Sequence, residues 1–147
     1  MNEARQFLEA VMEKRKRVRR MEESLEAHTA RAESVTGLRL GEKVQTSAQS
    51  TIDGTLAALE EERQRLEAAQ TELEEMTGQA KEMINLIRDN ETEWQVLWHR
   101  YILGEPWGAI AKQLGYSRRT IMRIRDEGIE RIEEKLSHHV TSCHIFL

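Results

Sequence analysis

Apolar residues recur along the first two-thirds of the chain at intervals of seven. Near the N-terminus Val11, Val18, Leu25 and Ala32 form one such series, with Met21 and Val35 at seam positions between them. Lys14 and His28 interrupt that second set. Residues Asn2 to about Glu33 lack Gly and Pro and are rich in Glu, Arg, Ala and Leu, so they read as helix. Farther on, Ile52, Leu59, Leu66, Leu73, Ala80 and Ile87 keep the seven-residue interval, and Ala69, Met76 and Met83 sit three residues after Leu66, Leu73 and Ala80. A heptad held this long predicts a coiled-coil helix. Between the two runs, Ser34 to Gly54 holds Gly37, Gly41 and Gly54 among many Ser and Thr. That stretch predicts a loop, with helix resuming near Ala48 to Ile52. The layout suits an antiparallel hairpin, while the heptads leave open whether the partner is the first helix, a second copy, or both. Two helices alone bury little, so self-association is expected.

The period changes near residue 90. Asn90 followed by Glu93 has the form of a capping box, with Asp89 as an alternative cap. A helix from about Glu91 to Leu103 then places Trp94, Leu97, Trp98, Tyr101 and Ile102 on one face. Trp94 and Tyr101 also continue the count from Ile87, which leaves open whether the coiled coil runs on without a hinge. Gly104 ends the helix, and Pro106 stands where a first turn tolerates proline. In the run PWGAIAKQLGYSRRTIMRIRDEGIERIEEKL, a short helix from Pro106 to Leu114 points Ile110 and Leu114 inward. Ala111 suits a close helix crossing, Gly115 a turn with φ > 0, and Ser117 the N-cap of the next helix. Ile121 and Ile124 face back, and Ile129, Ile132 and Leu136 extend the stripe. These spacings predict a helix-turn-helix whose second helix is the recognition helix. Its outer side carries Arg118, Arg119, Thr120, Met122 and Arg123, with Arg125 more lateral; Lys112 and Ser117 complete the expected DNA-contacting set.

Charge sharpens this division. From Trp94 to Arg125 there are six Lys/Arg and one acid, whereas from Ile52 to Glu93 there are four Lys/Arg and twelve acids. The first segment suits a phosphate backbone and the second does not, although the whole chain has a net charge of -4. A further basic cluster, KRKRVRR from Lys14 to Arg20, is read either as a solvated face or as an auxiliary phosphate contact. Aromatics at 5% and charged residues at 33% favour long solvated helices over one large core. No apolar run approaches a membrane span and the basic N-terminus is not a signal peptide, so a cytoplasmic protein is expected. The single cysteine, Cys143, excludes an intrachain disulfide. His138, His139, Cys143 and His144 lack the spacing of a compact zinc site. No phosphate loop, paired-acid pocket or Ser/His/Asp pattern occurs, so neither catalysis, metal nor cofactor is expected.

From Asn90 to Leu136, and most clearly in LGYSRRTIMRIRDEGIERIEEKL, the chain resembles region 4 of sigma-70-family RNA polymerase sigma factors, the segment that reads the promoter -35 element. The whole layout is similar to small phage and prophage proteins of Gram-positive bacteria, among them the RinA and ArpU-type late-gene regulators. Arg119 stands where sigma factors commonly carry Glu, which implies contact with guanine or phosphate in place of cytosine. The expectation is an all-α protein. A helical hairpin or coiled coil over 1–89, broken at about 34–51, precedes a helix-turn-helix over 90–137 and a tail over 138–147. The resemblance implies a phage or prophage transcription regulator, an activator acting in the host cytoplasm. Its expected partners are double-stranded DNA, a second copy paired through the coiled coil, and host RNA polymerase. A terminase small-subunit-like packaging protein and a polymerase-binding adaptor are the alternatives.

Overall fold

The computed structural model describes residues 2–39 and 46–145, with side chains for 2–34 and 53–138. These residues are all-helical, with no strand among them: α1 (Glu3–Arg39), α2 (Thr46–Asn85), α3 (Glu91–Leu97), α4 (Trp107–Leu114) and α5 (Arg118–Ile145). None of these helices is long and apolar enough to cross a membrane. The expected break from Ser34 to Gly54 is shorter than predicted. Gly37 lies inside α1 and Gly54 inside α2. One glycine costs a helix only about 1 kcal/mol relative to alanine, and the Glu-, Arg-, Ala- and Leu-rich remainder of each helix outweighs that. Gly41 lies outside the described residues, as do the side chains of Val35 and Ile52.

The chain divides into two compact units, and the division differs from the boundary expected at residue 89. Unit 1 comprises Met1–Glu13 with Glu74–Leu147, and unit 2 comprises Lys14–Leu73. Unit 2 is a pair of helical segments. Val18, Leu66 and Ala69 are buried in it, with Met21, Leu25 and Leu73 packed against them, as the heptads predict. The segments run antiparallel, because their polar ties descend α2 as they ascend α1. Lys14 Nζ meets Glu72 at 2.7 Å, Gln70 Nε2 donates to Glu22 at 3.0 Å, and Ser24 Oγ donates to Glu62 at 3.2 Å.

Unit 1 joins the start of α1 to everything after residue 73. Leu8 and Val11 are fully buried, as are Ile84, Ile87, Leu97 and Ile132. The amide of Ala4, an orphan donor in the first turn of α1, donates to Glu133 Oε1 of α5 at 2.6 Å. Arg5 pairs with Asp126 at 2.9 Å, and the buried Tyr101 hydroxyl donates to Glu9 at 2.9 Å. Burial, with the Glu9 carboxylate beside it, pushes the Tyr101 phenol well above its ordinary pKa, so it remains a donor.

α2 does not run on into α3. It stops at Asn85, and residues 86–90 form tight turns with i→i−3 bonds such as Arg88 N to Asn85 O at 3.2 Å. Lys135 of α5 donates to the Leu86 carbonyl at 2.8 Å and meets Asp89 at 3.2 Å, which satisfies the end of α2 with a cation. Asp89 is therefore an ion-pair partner of Lys135, which holds its carboxyl below the usual range. Asn90 takes the N-cap position of α3 without any side-chain cap hydrogen bond. The predicted capping box fails because Glu93, its other half, is turned to Arg131, bonded through both oxygens at 2.8 and 3.3 Å.

α3 closes through a π-helical turn, Trp98–Ile102, and Gly104 at φ 71° ends it where the sequence placed the stop. On its face Leu97 and Tyr101 are buried, while Trp94 and Trp98 stack on each other at 5.0 Å and stay half-buried.

Candidate nucleic-acid interface

The candidate interface is built on α4 and α5. Pro106, in an extended conformation, is the N-cap of α4, so the helix starts at Trp107, one residue after the start read from the sequence. Ile110 and Ala111 of α4 join Val96 of α3 and Ile121 and Ile124 of α5 in one buried cluster, with Trp107 and Leu114 packed against it. The predicted positions Ile110, Ala111, Leu114, Ile121 and Ile124 thus lie in or against that cluster, Ile129 and Ile132 are buried farther along α5 outside it, Leu136 is half-buried and Gly115 is exposed. Gly115 adopts φ 75°, ψ 29°, the left-handed conformation expected of it. Its amide and that of Tyr116 both donate to the Ala111 carbonyl at 3.0 Å, closing α4. Ser117 then caps α5. Its Oγ accepts from the Thr120 amide at 3.2 Å and donates to Thr120 Oγ1 at 2.9 Å.

This geometry sorts the predicted contact residues. Arg118, Arg119 and Arg123 are exposed on the first turns of α5, and Lys112 is exposed near the end of α4. Arg123 side-chain exposure is 70%, and its only close acid is Glu127 at 3.8 Å, a loose surface pair among the described residues. Thr120 and Met122 are half-buried between them. Ser117 is exposed, but its hydroxyl is already engaged in the cap. Arg125 stands apart: its side chain is only 22% exposed, its guanidinium lies 5.5 Å from the Trp107 ring, and it pairs with Asp126 at 2.9 Å. Asp126 also takes Arg5, and although burial pushes its carboxyl up, the two arginines hold it below the usual range. Arg125 is thus tied into the fold in a way that its three neighbours on α5 are not.

Three features of this region escaped the sequence reading. Two guanidiniums approach the Trp107 ring, Arg100 at 4.8 Å and Arg125 at 5.5 Å, and the ring meets that of Tyr101 edge-on at 6.4 Å. Val96 is fully buried at the centre of the cluster, although the sequence drew attention to the aromatics on either side of it. Gly128 is buried where α5 crosses α3, and a Cβ there would meet Leu97 Cδ1 at 3.0 Å and Glu93 Cβ at 3.3 Å. An isolated glycine in a helical run was the available signal for that close approach. Among the described residues no group of three or more His, Cys, Asp or Glu could hold a metal ion; His139, Cys143 and His144 have undescribed side chains.

The arrangement presents three guanidiniums on the N-terminal turns of a helix whose opposite side is fixed in a core. Such forks can bond guanine O6 and N7 or phosphate oxygens in pairs. Comparison of the chain with protein-family models, with curated proteins and with solved structures finds no match.

Proposed function

We propose that the chain is a sequence-specific DNA-binding transcription regulator of phage or prophage origin, an activator that docks α5 in the major groove. In this reading α4, the turn at Gly115 and α5 are a helix-turn-helix, and α1 and α2 form a coiled-coil hairpin that pairs two copies. The observation that carries the reading is the exposure of Arg118, Arg119 and Arg123 on the capped start of α5, directly behind the left-handed Gly115 and the buried Ile121. The resemblance of Asn90–Leu136 to sigma region 4 supports the same docking mode and the transcriptional setting. Self-association draws support from unit 2, where Leu56 keeps 56% of its surface exposed and the pair of segments buries few side chains. A dimer would present two reading heads to two half-sites.

Binding to promoter fragments from the surrounding genes, measured against a random duplex at physiological salt, tests this. Preference for a fragment is expected, and Ala at Arg118, Arg119 and Arg123 should abolish it, each lost base contact being worth ~1–3 kcal/mol. Equal affinity for promoter and random DNA would sink the sequence-specific reading. Polymerase binding that survives the triple substitution, with no DNA binding by the native chain, would replace it with an adaptor.

A further inference from the structure

The basic run Lys14–Arg20 has no part in the reading head, and in unit 2 it meets cationic company from the facing helix. Arg17 and Arg20 of α1 line an open groove of about 460 Å³ together with Met21 and Ser24, and α2 contributes Arg65 and Glu62. Arg17 and Arg20, three residues apart, share one face of α1, and both are exposed. Arg65 is 73% exposed, with Glu61 as a loose neighbour at 3.7 Å. Glu62, the one acid lining the groove, is engaged from the α1 side: Ser24 Oγ donates to it at 3.2 Å and His28 Nδ1 lies 2.9 Å away. A second groove of unit 2 has the opposite character, lined by Glu22, Glu26 and Glu33 with no Lys or Arg. Arginines thus outnumber acids in the first groove, and the second holds acids alone among its charged lining residues.

Three guanidiniums spread along an open groove fit a phosphodiester chain. Each offers paired N–H donors to phosphate oxygens, and arginine sheds water more readily than lysine. Met21 is the only apolar side chain among the lining residues, which offers little to a lipid chain or an apolar peptide. We infer that Arg17, Arg20 and Arg65 form a second nucleic-acid contact, which holds the phosphate backbone of duplex DNA without reading bases. The inference rests on the reading of the chain as a DNA-binding protein. It adds a sequence-independent contact on the helical hairpin to the sequence-reading one on α5.

The experiment compares three full-length proteins on a long random duplex across a salt series: native, a groove variant (Arg17→Gln, Arg20→Gln, Arg65→Gln) and a head variant (Arg118→Ala, Arg119→Ala, Arg123→Ala). Each phosphate contact contributes about 0.9 to the slope of log affinity against log salt, so the groove variant, which removes three, should lose about 2.7 from that slope. Glutamine keeps helix propensity at these exposed sites, and an unchanged far-UV spectrum and melt should accompany the loss; Arg17→Gln alone, expected to lose about 0.9, serves if the triple variant melts early. The head variant should keep a salt-dependent residue of binding that the groove variant lacks. A native slope in the groove variant overturns the inference while leaving the α5 reading intact. Loss confined to the groove variant, with the head variant unaffected on promoter and random DNA alike, upholds the inference and removes the α5 reading. Absence of any duplex binding by the native chain overturns both. A native slope combined with lost self-association would assign the groove to a second copy, and a native slope combined with lost binding to phosphatidylserine vesicles would assign it to a membrane.

Discussion

Both units draw on the two long helices α1 and α2, but they bury those helices to different depths. In unit 1 Leu8, Val11, Ile84, Ile87, Val96, Tyr101, Ile110, Ile121 and Ile132 are all fully enclosed. In unit 2 the best-covered side chains, Val18, Leu66 and Ala69, keep 4–8% of their surface open, and no described residue reaches zero. Unit 1 surrounds its side chains with five helical segments, whereas two segments can only face each other along one seam. Close packing therefore fixes the α4–α5 pair, while the hairpin depends more on exposed polar ties and on whatever covers its outer surface. The N-terminal turns of α1 belong to the well-packed side of this contrast, so the start of the chain stabilises the candidate reading head at its end.

The largest expected effect breaks that link. Removing residues 1–13 should abolish the cooperative melt of unit 1, since Ala4, Leu8, Val11 and Met12 leave its core together. All three tryptophans, Trp94, Trp98 and Trp107, lie in unit 1, so their fluorescence reports that unit alone. A truncated chain with native tryptophan emission and melting would refute the assignment. Next in size, Leu8→Ala should cost ~2–5 kcal/mol in urea unfolding, and Leu66→Ala should fall at or below the lower end of that range because its site is still open to water. Equal costs would erase the difference in burial depth.

Two glycines sharpen the contrast within unit 1. Gly128→Leu should destabilise by ~1–3 kcal/mol through overpacking against Leu97 and Glu93. Gly115→Ala should cost ~1–2 kcal/mol for a different reason, since a Cβ there meets open space and the penalty is the left-handed backbone alone. Asn, which tolerates that region better, should recover part of the loss at 115 and none at 128. Matching responses at both sites would mean that crowding and backbone strain have been wrongly separated.

How much of this was legible in the sequence depended on range. Gly104, Gly115, Ser117 and the Ile110–Ile124 cluster were readable because each follows from neighbours within a few residues. The heptads picked out Val18, Leu66 and Ala69, and the antiparallel sense, which the layout suited but the heptads left open, came with the ties from Lys14 to Glu72 and from Ser24 to Glu62. Glu93 was misread as half of a capping box because its partner, Arg131, is thirty-eight residues away. Ile84 was hidden by a strict seven-residue count, since a straight helix drifts by about 20° per heptad and brings the position four after Ala80 inward. Nothing local in the N-terminal helix announced that Leu8 would be enclosed with the chain's far end. For the candidate site, exposure of Arg118, Arg119 and Arg123 was legible from the face opposite Ile121. The capture of Arg125 by Trp107 and Asp126 was not, since it needs the crossing of α4 with α5.

The smallest expected effect is an acid weakness of the hairpin. Glu62 is held below the ordinary 4.5 of a glutamate first by its hydrogen bond to His28, and Glu72 first by its bond to Lys14. A carboxyl lowered in the folded state binds its proton more readily when unfolded. Both groups therefore contribute stability that is complete above about pH 4.5 and is lost as pH falls through their lowered folded values. Glu72 is exposed and Glu62 is only half-buried, so the loss should be modest and should shrink at high salt. Asp126 and Asp89 make unit 1 respond in the same direction, which means total helicity cannot assign the change. Replacing Glu62 and Glu72 together by Gln should flatten the acid limb of the far-UV signal while leaving the tryptophan-reported limb in place. If the double variant titrates like the native chain by both probes, these ties do not support unit 2, and its stability must come from the Val18–Leu66 seam or from a second copy.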